Sequence, residues 1–258
     1  MNDRCDTSTP LSRHPPRHGL ARVLSRLGVC SRTEAVRRIG AGRVRVNGRC
    51  VRDPEWPADA ASDHIELDGR ALRVAARVCI AVNKPRGLVV SAADEQGRDT
   101  VYKLIEGADL PWLAPVGRLD KASEGLLLMS NDPAWAARLT DPATHVGKTY
   151  RVQVRGIPDG ECLQWFRKGI VDRGEQLVAK SAVVVGGGAR NAWLEVVLDQ
   201  GRNRQIRRMC SACGHDVLRL IRTGIGGLML GDLPKGVWRM LSEAEMADLA
   251  TAGRRVVR

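Results

Sequence analysis

The sequence has no apolar run that approaches the roughly 20 residues that a membrane-spanning helix needs. Its N-terminus lacks the basic and then apolar pattern of a secretory signal. Its seven cysteines are scattered and odd in number, which is typical of reduced thiols and not of a disulfide framework. We therefore expect a cytoplasmic protein that does not enter a membrane.

Metal-binding and phosphate-binding motifs are also scarce. The one metal-like spacing is Cys210-Ser-Ala-Cys213 followed by His215, and it has no second ligand pair at a suitable distance. Helical packing accounts for both thiols, so the sequence predicts no metal site. Gly186-Gly-Gly188 lacks the strand-to-helix pattern of a phosphate-binding loop and predicts only a loop tip. We expect no cofactor.

Positive charge is abundant. The 41 lysines and arginines outnumber the 29 acidic residues and give a formal net charge of +12. Arginine predominates among the cations, and its planar guanidinium matches phosphate geometry. An anionic partner is therefore expected. A GC-rich genome also enriches arginine, so the argument depends on where the arginines cluster.

The first 76 residues predict a basic arm followed by a small domain. Residues 1–18 are polar, contain three prolines and show no periodicity, so we expect a disordered arm. Residues 19–76 predict two short helices, the second opened by a capping box at Ser31-Arg-Thr-Glu34 with Ala35, Val36 and Ile39 inward. Asn47-Gly48 and Asp68-Gly69 predict tight hairpins.

Arginine recurs at the outward positions of this small domain, which indicates a phosphate-binding surface. The segments Gly28-Val-Cys30-Ser-Arg32-Thr-Glu34-Ala and Gly42-Arg-Val-Arg-Val-Asn47-Gly48 resemble the S4 RNA-binding module. The arginines of this module that we predict to contact RNA are Arg32, Arg37, Arg38 and Arg45.

Residues 77–258 predict a larger second domain that contains both strands and helices. The alternation of Lys148-Thr-Tyr150-Arg-Val152-Gln-Val154-Arg is the strongest strand signal, with Tyr150 on the apolar face. Further strands are predicted at 79–82, 88–90, 126–129, 177–185 and 192–198, and helices at 100–106, 134–139, in the basic segment that begins at Gln200, and from 242 onward.

Asp120 lies where an apolar segment opens into a polar loop, in Gly117-Arg118-Leu119-Asp120. Arg118 and Lys121 flank it, and nearby positive charge keeps a carboxylate ionised. An ionised, positioned aspartate can act as a nucleophile. The alternative is an aspartate that only bends the loop and pairs with a neighbour.

The densest basic segment is Gln200-Gly-Arg-Asn-Arg-Gln-Ile-Arg-Arg-Met209. As a helix it points Ile206 and Met209 inward and leaves Arg207 at the margin of the apolar face. Arg204 and Arg208 point away, and we predict that both contact RNA.

Gly117-Arg-Leu-Asp120, Lys148-Thr-Tyr150 and the segment 201–209 together resemble the RsuA/RluB/RluE/RluF family of ribosomal RNA pseudouridine synthases. The resemblance covers about Leu20 to Leu249 and includes Val82-Asn83-Lys84-Pro85. It implies an α+β protein, with an S4-like domain followed by a catalytic domain built on a mixed, mainly antiparallel sheet. The residue roles that it implies are catalysis by Asp120, an active-site tyrosine at Tyr150 and a basic partner of Asp120 at Arg207. We also predict that Arg118, beside Asp120, binds the substrate RNA.

The expected partner is ribosomal RNA or a pre-ribosomal particle, and the expected oligomeric state is a monomer. The run from Gly147 to Pro158 is more similar to the large-subunit enzymes, which favours 23S over 16S RNA. A non-catalytic S4-type RNA-binding protein is the alternative, but the S4-like part is under a third of the chain. A carboxylate-based hydrolase would need a second carboxylate, for which Glu124 is the only near candidate.

Overall fold

The computed structural model describes residues 17–73, 75–92, 94 and 96–252. The chain divides into two compact units, Met1–Ala75 and Ala76–Arg258. The predicted N-terminal arm lies outside the described residues except for Arg17 and His18. Arg17 donates to both carboxylate oxygens of Asp63, at 2.9 and 2.8 Å. No helix in the described ranges is long and apolar enough to span a membrane.

From Arg17 onward, the described residues of the N-terminal unit pack two short helices against small antiparallel sheets. Its fully buried side chains include Leu20, Leu24, Ile39 and Val44. A four-stranded sheet has the order β3-β2-β5-β6, and β1 pairs with β4. The elements are β1 (His18–Gly19), α1 (Leu20–Arg26), α2 (Arg32–Gly40), β2 (Val44–Val46), β3 (Arg49–Val51), β4 (Pro57–Ala58), β5 (Ile65–Leu67) and β6 (Arg70–Ala71).

Helix α2 begins as predicted, but its capping box is only half formed. The Ser31 hydroxyl accepts a hydrogen bond from the Glu34 backbone N–H at 3.1 Å. The Glu34 carboxylate instead pairs with Arg37 and Arg38 one turn later. The prediction that Val36 points inward is wrong, because its side chain is 45% exposed.

The C-terminal unit is built on one large sheet. Within the described residues, nine strands form it in the order β13-β14-β10-β15-β9-β7-β17, with β8 paired to β9 and β16 to β15. These nine strands are β7 (Cys79–Lys84), β8 (Ala114–Val116), β9 (Glu124–Ser130), β10 (Lys148–Arg155), β13 (Ser181–Gly187), β14 (Asn191–Leu198), β15 (Val217–Ile225), β16 (Leu228–Met229) and β17 (Trp238–Met240). A separate antiparallel hairpin is formed by β11 (Ile170–Asp172) and β12 (Glu175–Leu177).

Four α-helices and two 3₁₀ helices complete the described part of this unit. The predicted helix at 100–106 is a 3₁₀ helix, Val101–Ile105, and the closing helix begins with a full capping box between Ser242 and Glu245. The other elements are α3 (Pro133–Thr140), a 3₁₀ helix at Pro142–Thr144, α4 (Gly160–Lys168), α5 (Gln205–Ala212) and α6 (Glu243–Thr251).

The pairing in the large sheet confirms the predicted mixed, mainly antiparallel architecture. Most neighbouring strands are antiparallel, but β9 and β15 run parallel, with Glu124 opposite Ile221 and Gly125 opposite Arg222. Gly125 has a φ of +100°, and a Cβ there would lie 2.2 Å from the backbone oxygen of Arg222. Only glycine fits this contact, which holds the loop before β9 next to β15.

Candidate functional site

Asp120 lies in the loop between β8 and β9. The chain turns at Gly117, whose φ is +79°, and Ser123 N–H donates to the Asp120 backbone oxygen at 2.9 Å. Leu119 is buried, whereas its neighbours Arg118 and Asp120 are exposed. The buried Leu119 side chain and the hydrogen bond from Ser123 to Asp120 therefore stabilise the loop, and the Asp120 carboxylate points outward.

Lys84, at the end of β7, lies directly beneath this loop. Its side chain is fully buried, and its ammonium donates to the backbone oxygens of Ser123 at 2.8 Å, Pro85 at 3.1 Å and Asp120 at 3.2 Å. Burial lowers the pKa of Lys84 to about 8, although Asp120 and Glu124 act in the opposite direction. The ammonium thus places positive charge below the loop and fixes its backbone.

Glu124 follows the loop and is 1% exposed. Its carboxylate pairs with Lys235 at 2.5 Å and with Arg219 at 3.2 Å. Burial raises the pKa of Glu124, but hydrogen bonds from these two cations lower it overall. A carboxylate held ionised in this way is a structural ion-pair partner, so the geometry does not favour the hydrolase alternative.

Helix α5 brings two arginines toward the loop. Arg204 precedes the helix, and its Nη1 lies 4.0 Å from Oδ2 of Asp120. Arg207 donates from Nη2 to the Ala122 backbone oxygen and from Nη1 to the Val217 backbone oxygen, both at 3.3 Å. Burial and the nearby Arg204 lower the pKa of Arg207, while Asp120 raises it.

These contacts divide between two arginines the role that the sequence assigns to Arg207. Among the described residues, Asp120 forms its ion pair with Arg204, at 4.0 Å. Arg207 lies under the loop and interacts with the carboxylate over a longer range. Its function as the basic partner of Asp120 stays a prediction.

Arg208 differs from the predicted outward position. Its guanidinium pairs with Asp172 and, at 2.5 Å, with Glu175, and its side chain is only 13% exposed. It also donates to the Asp172 backbone oxygen at 2.7 Å. These bonds attach α5 to the β11–β12 hairpin, and they leave little of this guanidinium for RNA.

Tyr150 occupies the central strand β10, opposite Arg222 of β15 and Val196 of β14. Its half-buried ring packs against the apolar cluster that contains Leu119, the residue before Asp120. Tyr150 and Arg118 also line one cavity of about 250 Å³ beside the Asp120 loop. The other lining residues include Gly117, Lys148, Asp199 and Arg222.

The predicted RNA-binding arginines of the N-terminal unit differ in how free they are. Arg32 and Arg45 are exposed, and Arg45 donates to the backbone oxygen of Gly48 at 3.0 Å. Arg37 is 77% exposed but pairs with Glu34. Arg38 pairs with the same carboxylate at 2.7 Å and is 26% exposed. The surface is therefore basic, with two of its four charges partly neutralised by one glutamate.

Two family models match the chain. The model described as RNA pseudouridylate synthase covers residues 78–212, and the S4 domain model covers residues 19–65. The chain belongs to the RNA pseudouridine synthase family.

Curated relatives agree with this assignment. The synthase is 34% identical over 233 residues to ribosomal large subunit pseudouridine synthase B of Bacillus subtilis, covering 89% of this chain and 94% of the relative. It is 37% identical to an RNA pseudouridine synthase of Mycobacterium tuberculosis, with 93% and 96% covered. A crystal structure of a pseudouridylate synthase superposes with a TM-score of 0.63 at 27% identity, covering 90% of this chain and 99% of that one.

The sequence did not predict that three cations of this pseudouridine synthase, Lys84, Lys148 and Arg222, lie at the site. Lys84 ends a strand that was predicted, but nothing local shows that it is fully buried. Lys148 was recognised only as part of a motif. Arg222 lies in β15, which was not predicted, although Leu220, Arg222 and Ile225 of that segment are all buried. The apolar residues of Val217–Ile225 were the available signal.

The described residues contain no group of three or more His, Cys, Asp or Glu side chains able to hold a metal ion. Cys210 is buried, and burial raises the pKa of its thiol to about 12. Cys213 is partly buried and packs against the same apolar cluster. The thiols of the metal-like spacing are therefore packing residues of α5 and its C-cap.

Proposed function

We propose that this synthase converts uridine to pseudouridine at specific sites of ribosomal RNA, with 23S RNA favoured over 16S RNA. Two observations support the ribosomal substrate. One is the name of the Bacillus subtilis relative, which assigns that enzyme to the large ribosomal subunit and which this chain matches along 94% of its length. The other is an S4 domain at residues 19–65, joined in the chain to the catalytic domain.

The position of Asp120 carries the proposed mechanism. Its carboxylate is 41% exposed, lies 4.0 Å from Arg204, and stands on a loop whose backbone oxygens contact the buried ammonium of Lys84. The target base leaves the RNA stack to reach this site. Asp120 then attacks either C1′ of the ribose or C6 of the uracil.

By the C1′ route, a bond forms between the carboxylate and C1′ while the C1′–N1 bond breaks. The uracil anion turns over, its C5 attacks C1′, and the carboxylate leaves with its electron pair. The proton on C5 is then removed, and N1 is protonated. The atoms of uridine are conserved, so the reaction consumes no co-reactant.

Two further side chains act on this reaction. Arg207 places a positive charge near Asp120 and stabilises the loop through the Ala122 backbone oxygen, to which it donates at 3.3 Å. The ring of Tyr150 supplies a face for the flipped base, and its hydroxyl assists the removal of the C5 proton. Arg118, exposed two residues before Asp120, and Arg204 bind the neighbouring RNA strand.

The S4-like unit supplies affinity and does not choose the target base. Arg32, Arg37, Arg38 and Arg45 bind backbone phosphates, and phosphate contacts carry no direct sequence information. The choice of uridine therefore belongs to the catalytic unit.

The substitution Asp120→Asn tests the nucleophile. We expect it to abolish pseudouridine formation, measured by chemical mapping after the variant acts on ribosomal RNA from a strain that lacks the gene. Circular dichroism and RNA affinity should stay close to wild type. Asp216→Asn is the matched control, because Asp216 is a surface aspartate with a side-chain exposure of 79%. A folded Asp120→Asn protein that retains more than a trace of activity would remove Asp120 from this role.

A further inference from the structure

Arg222 is a buried cation without a carboxylate partner. It is 3% exposed, and no acidic side chain of the described ranges lies within 4.0 Å of its guanidinium. Its Nε donates to the Leu126 backbone oxygen at 2.7 Å, and its Nη1 donates to the Arg118 backbone oxygen at 3.4 Å. Its Nη2 is buried and has no hydrogen-bond partner.

Such an arrangement is costly and needs an explanation. A buried charge is ordinarily paired and hydrogen-bonded, because removing an ion from water costs on the order of several kcal/mol. Buried donors without partners are rare in folded proteins. Backbone oxygens satisfy part of this guanidinium but carry no net charge, so the positive charge of Arg222 stays uncompensated by the protein.

A second cation shares the cavity that Arg222 lines. Lys148, opposite Ile225 at the start of β10, lines the same cavity of about 250 Å³. Burial and the nearby Arg222 lower the pKa of Lys148. The one carboxylate in the lining belongs to Asp199, which lies 3.3 Å from the imidazole of His145. Positive charge therefore exceeds negative charge in this cavity.

We propose that the cavity is a subsite for a phosphate of the RNA strand adjacent to the flipped uridine, bound by Arg222 and Lys148. The inference rests on the proposed function only in taking RNA as the ligand. A phosphodiester brings one negative charge and two free oxygens, which matches a cavity lined by Arg222 and Lys148 beside the exposed Arg118, with one donor of Arg222 unpartnered. A uracil edge is neutral and would leave both cations uncompensated.

The position of the cavity gives this subsite a consequence for catalysis. Its wall includes Gly117 and Arg118 of the Asp120 loop as well as Tyr150. The same guanidinium that binds the phosphate donates to the Arg118 backbone oxygen, two residues before Asp120. A phosphate bound here fixes the strand against the loop that carries the nucleophile.

Isothermal titration of the full-length protein with uridine 5′-monophosphate, inorganic phosphate and uridine tests the proposal. Wild type should bind the first two and bind uridine much more weakly. Lys148→Gln should weaken binding of the monophosphate by about tenfold or more, as expected for one lost charge-assisted hydrogen bond. Arg222→Gln should do the same if circular dichroism shows that it folds. Lys168→Gln, at an exposed lysine that ends α4, is the matched control and should bind as wild type does.

Three results would overturn the proposal. One is equal affinity for uridine and its monophosphate with both lowered by Lys148→Gln, which would assign the cavity to the uracil edge. Another is monophosphate binding that Lys148→Gln leaves unchanged, and the third is no binding by wild type. Pseudouridine formation is measured separately on ribosomal RNA, so its loss or retention tests the proposed function independently of these affinities.

Discussion

Replacing Lys84 with methionine tests how the Asp120 loop is held. Methionine keeps a similar length but leaves three backbone oxygens, those of Pro85, Asp120 and Ser123, without the ammonium donor. The Asp120 oxygen still accepts from Ser123 N–H, whereas each of the other two acceptors loses its partner at a cost of about 1–3 kcal/mol. Burial lowers the pKa of Lys84 from 10.5 to about 8. Removing the buried charge therefore offsets this loss of stability by about 3 kcal/mol. We expect Lys84→Met to lower the free energy of unfolding by about 1 kcal/mol at neutral pH.

The assay is urea denaturation at pH 7 beside the rate of pseudouridine formation on saturating RNA. Because two of the three freed oxygens belong to the Asp120 loop, turnover should fall more than RNA affinity. Lys168→Met is the control, since an exposed lysine should change the free energy of unfolding by less than about 0.5 kcal/mol. A Lys84→Met protein with wild-type stability and turnover would refute the assignment of loop support to Lys84.

The pH dependence follows from the same lowered pKa. Below pH 8, Lys84 is protonated in the folded and the unfolded protein, so the cost of burying its charge is present in full. Between about pH 8 and 10.5 the folded protein releases this proton while the unfolded chain keeps it, so the free energy of unfolding rises with pH. Wild type should gain about 3 kcal/mol over Lys84→Met across this window. A difference between the two proteins that stays flat from pH 7 to 10.5 would contradict this reasoning.

Three further predictions concern single side chains. Tyr150→Phe should fold and bind RNA normally but lose much of its single-turnover rate, and an unchanged rate would leave Tyr150 only a stacking role. Gly125→Ala should destabilise the synthase by about 3 kcal/mol or more in urea denaturation, since its Cβ would lie 2.2 Å from the Arg222 backbone oxygen. Gly174 has a φ of +76° and open space around it, so Gly174→Ala is the control that measures backbone strain alone and should destabilise the protein less. Equal losses of stability would show that the backbone of Arg222 moves away from the new Cβ. Arg45→Gln should lower RNA affinity and flatten its salt dependence, measured by titration at several salt concentrations, without changing the modified position.

The Asp120 loop was predictable because its signals are local. An apolar approach, a glycine turn, a polar bend and a second apolar run follow one another in the sequence, and the structure places β8, the loop and β9 in that order. Leu119 confirms the pattern, since it is the buried residue between two exposed charged neighbours. The outward position of Asp120 therefore follows from residues adjacent to it.

The surroundings of the loop were not predictable in the same way, because they come from distant parts of the chain. Strand β15 pairs with β9 across about 95 intervening residues in a parallel register. Its alternation is hidden because a buried position is occupied by Arg222, a residue that a polarity pattern assigns to solvent. The same holds for Lys84, whose burial depends on three carbonyl groups that the sequence gives no sign of.

The count of arginines likewise overstates the free positive surface. Arg38 is held by Glu34, and Arg43 pairs with Asp68 at 2.6 Å. Arg208, predicted to contact RNA, is bound to two acidic residues of the β11–β12 hairpin. Net charge therefore indicates an anionic partner, but the paired carboxylates decide which guanidinium groups remain available to it.

The cations around Asp120 share one structural property, which is that each donates to backbone oxygens of the segment around it. Lys84 donates to the backbone oxygens of Asp120 and Ser123, Arg207 to that of Ala122, and Arg222 to those of Arg118 and Leu126. Three charged side chains from three separate strands and helices thus bind the carbonyls of one short segment. Their hydrogen bonds fix the loop before substrate arrives, and they place positive charge close to the segment that carries Asp120. Because each cation does both, replacing one by a neutral residue should loosen the loop and weaken the nucleophile together. The two effects separate only in a variant such as Asp120→Asn, which leaves every carbonyl bound.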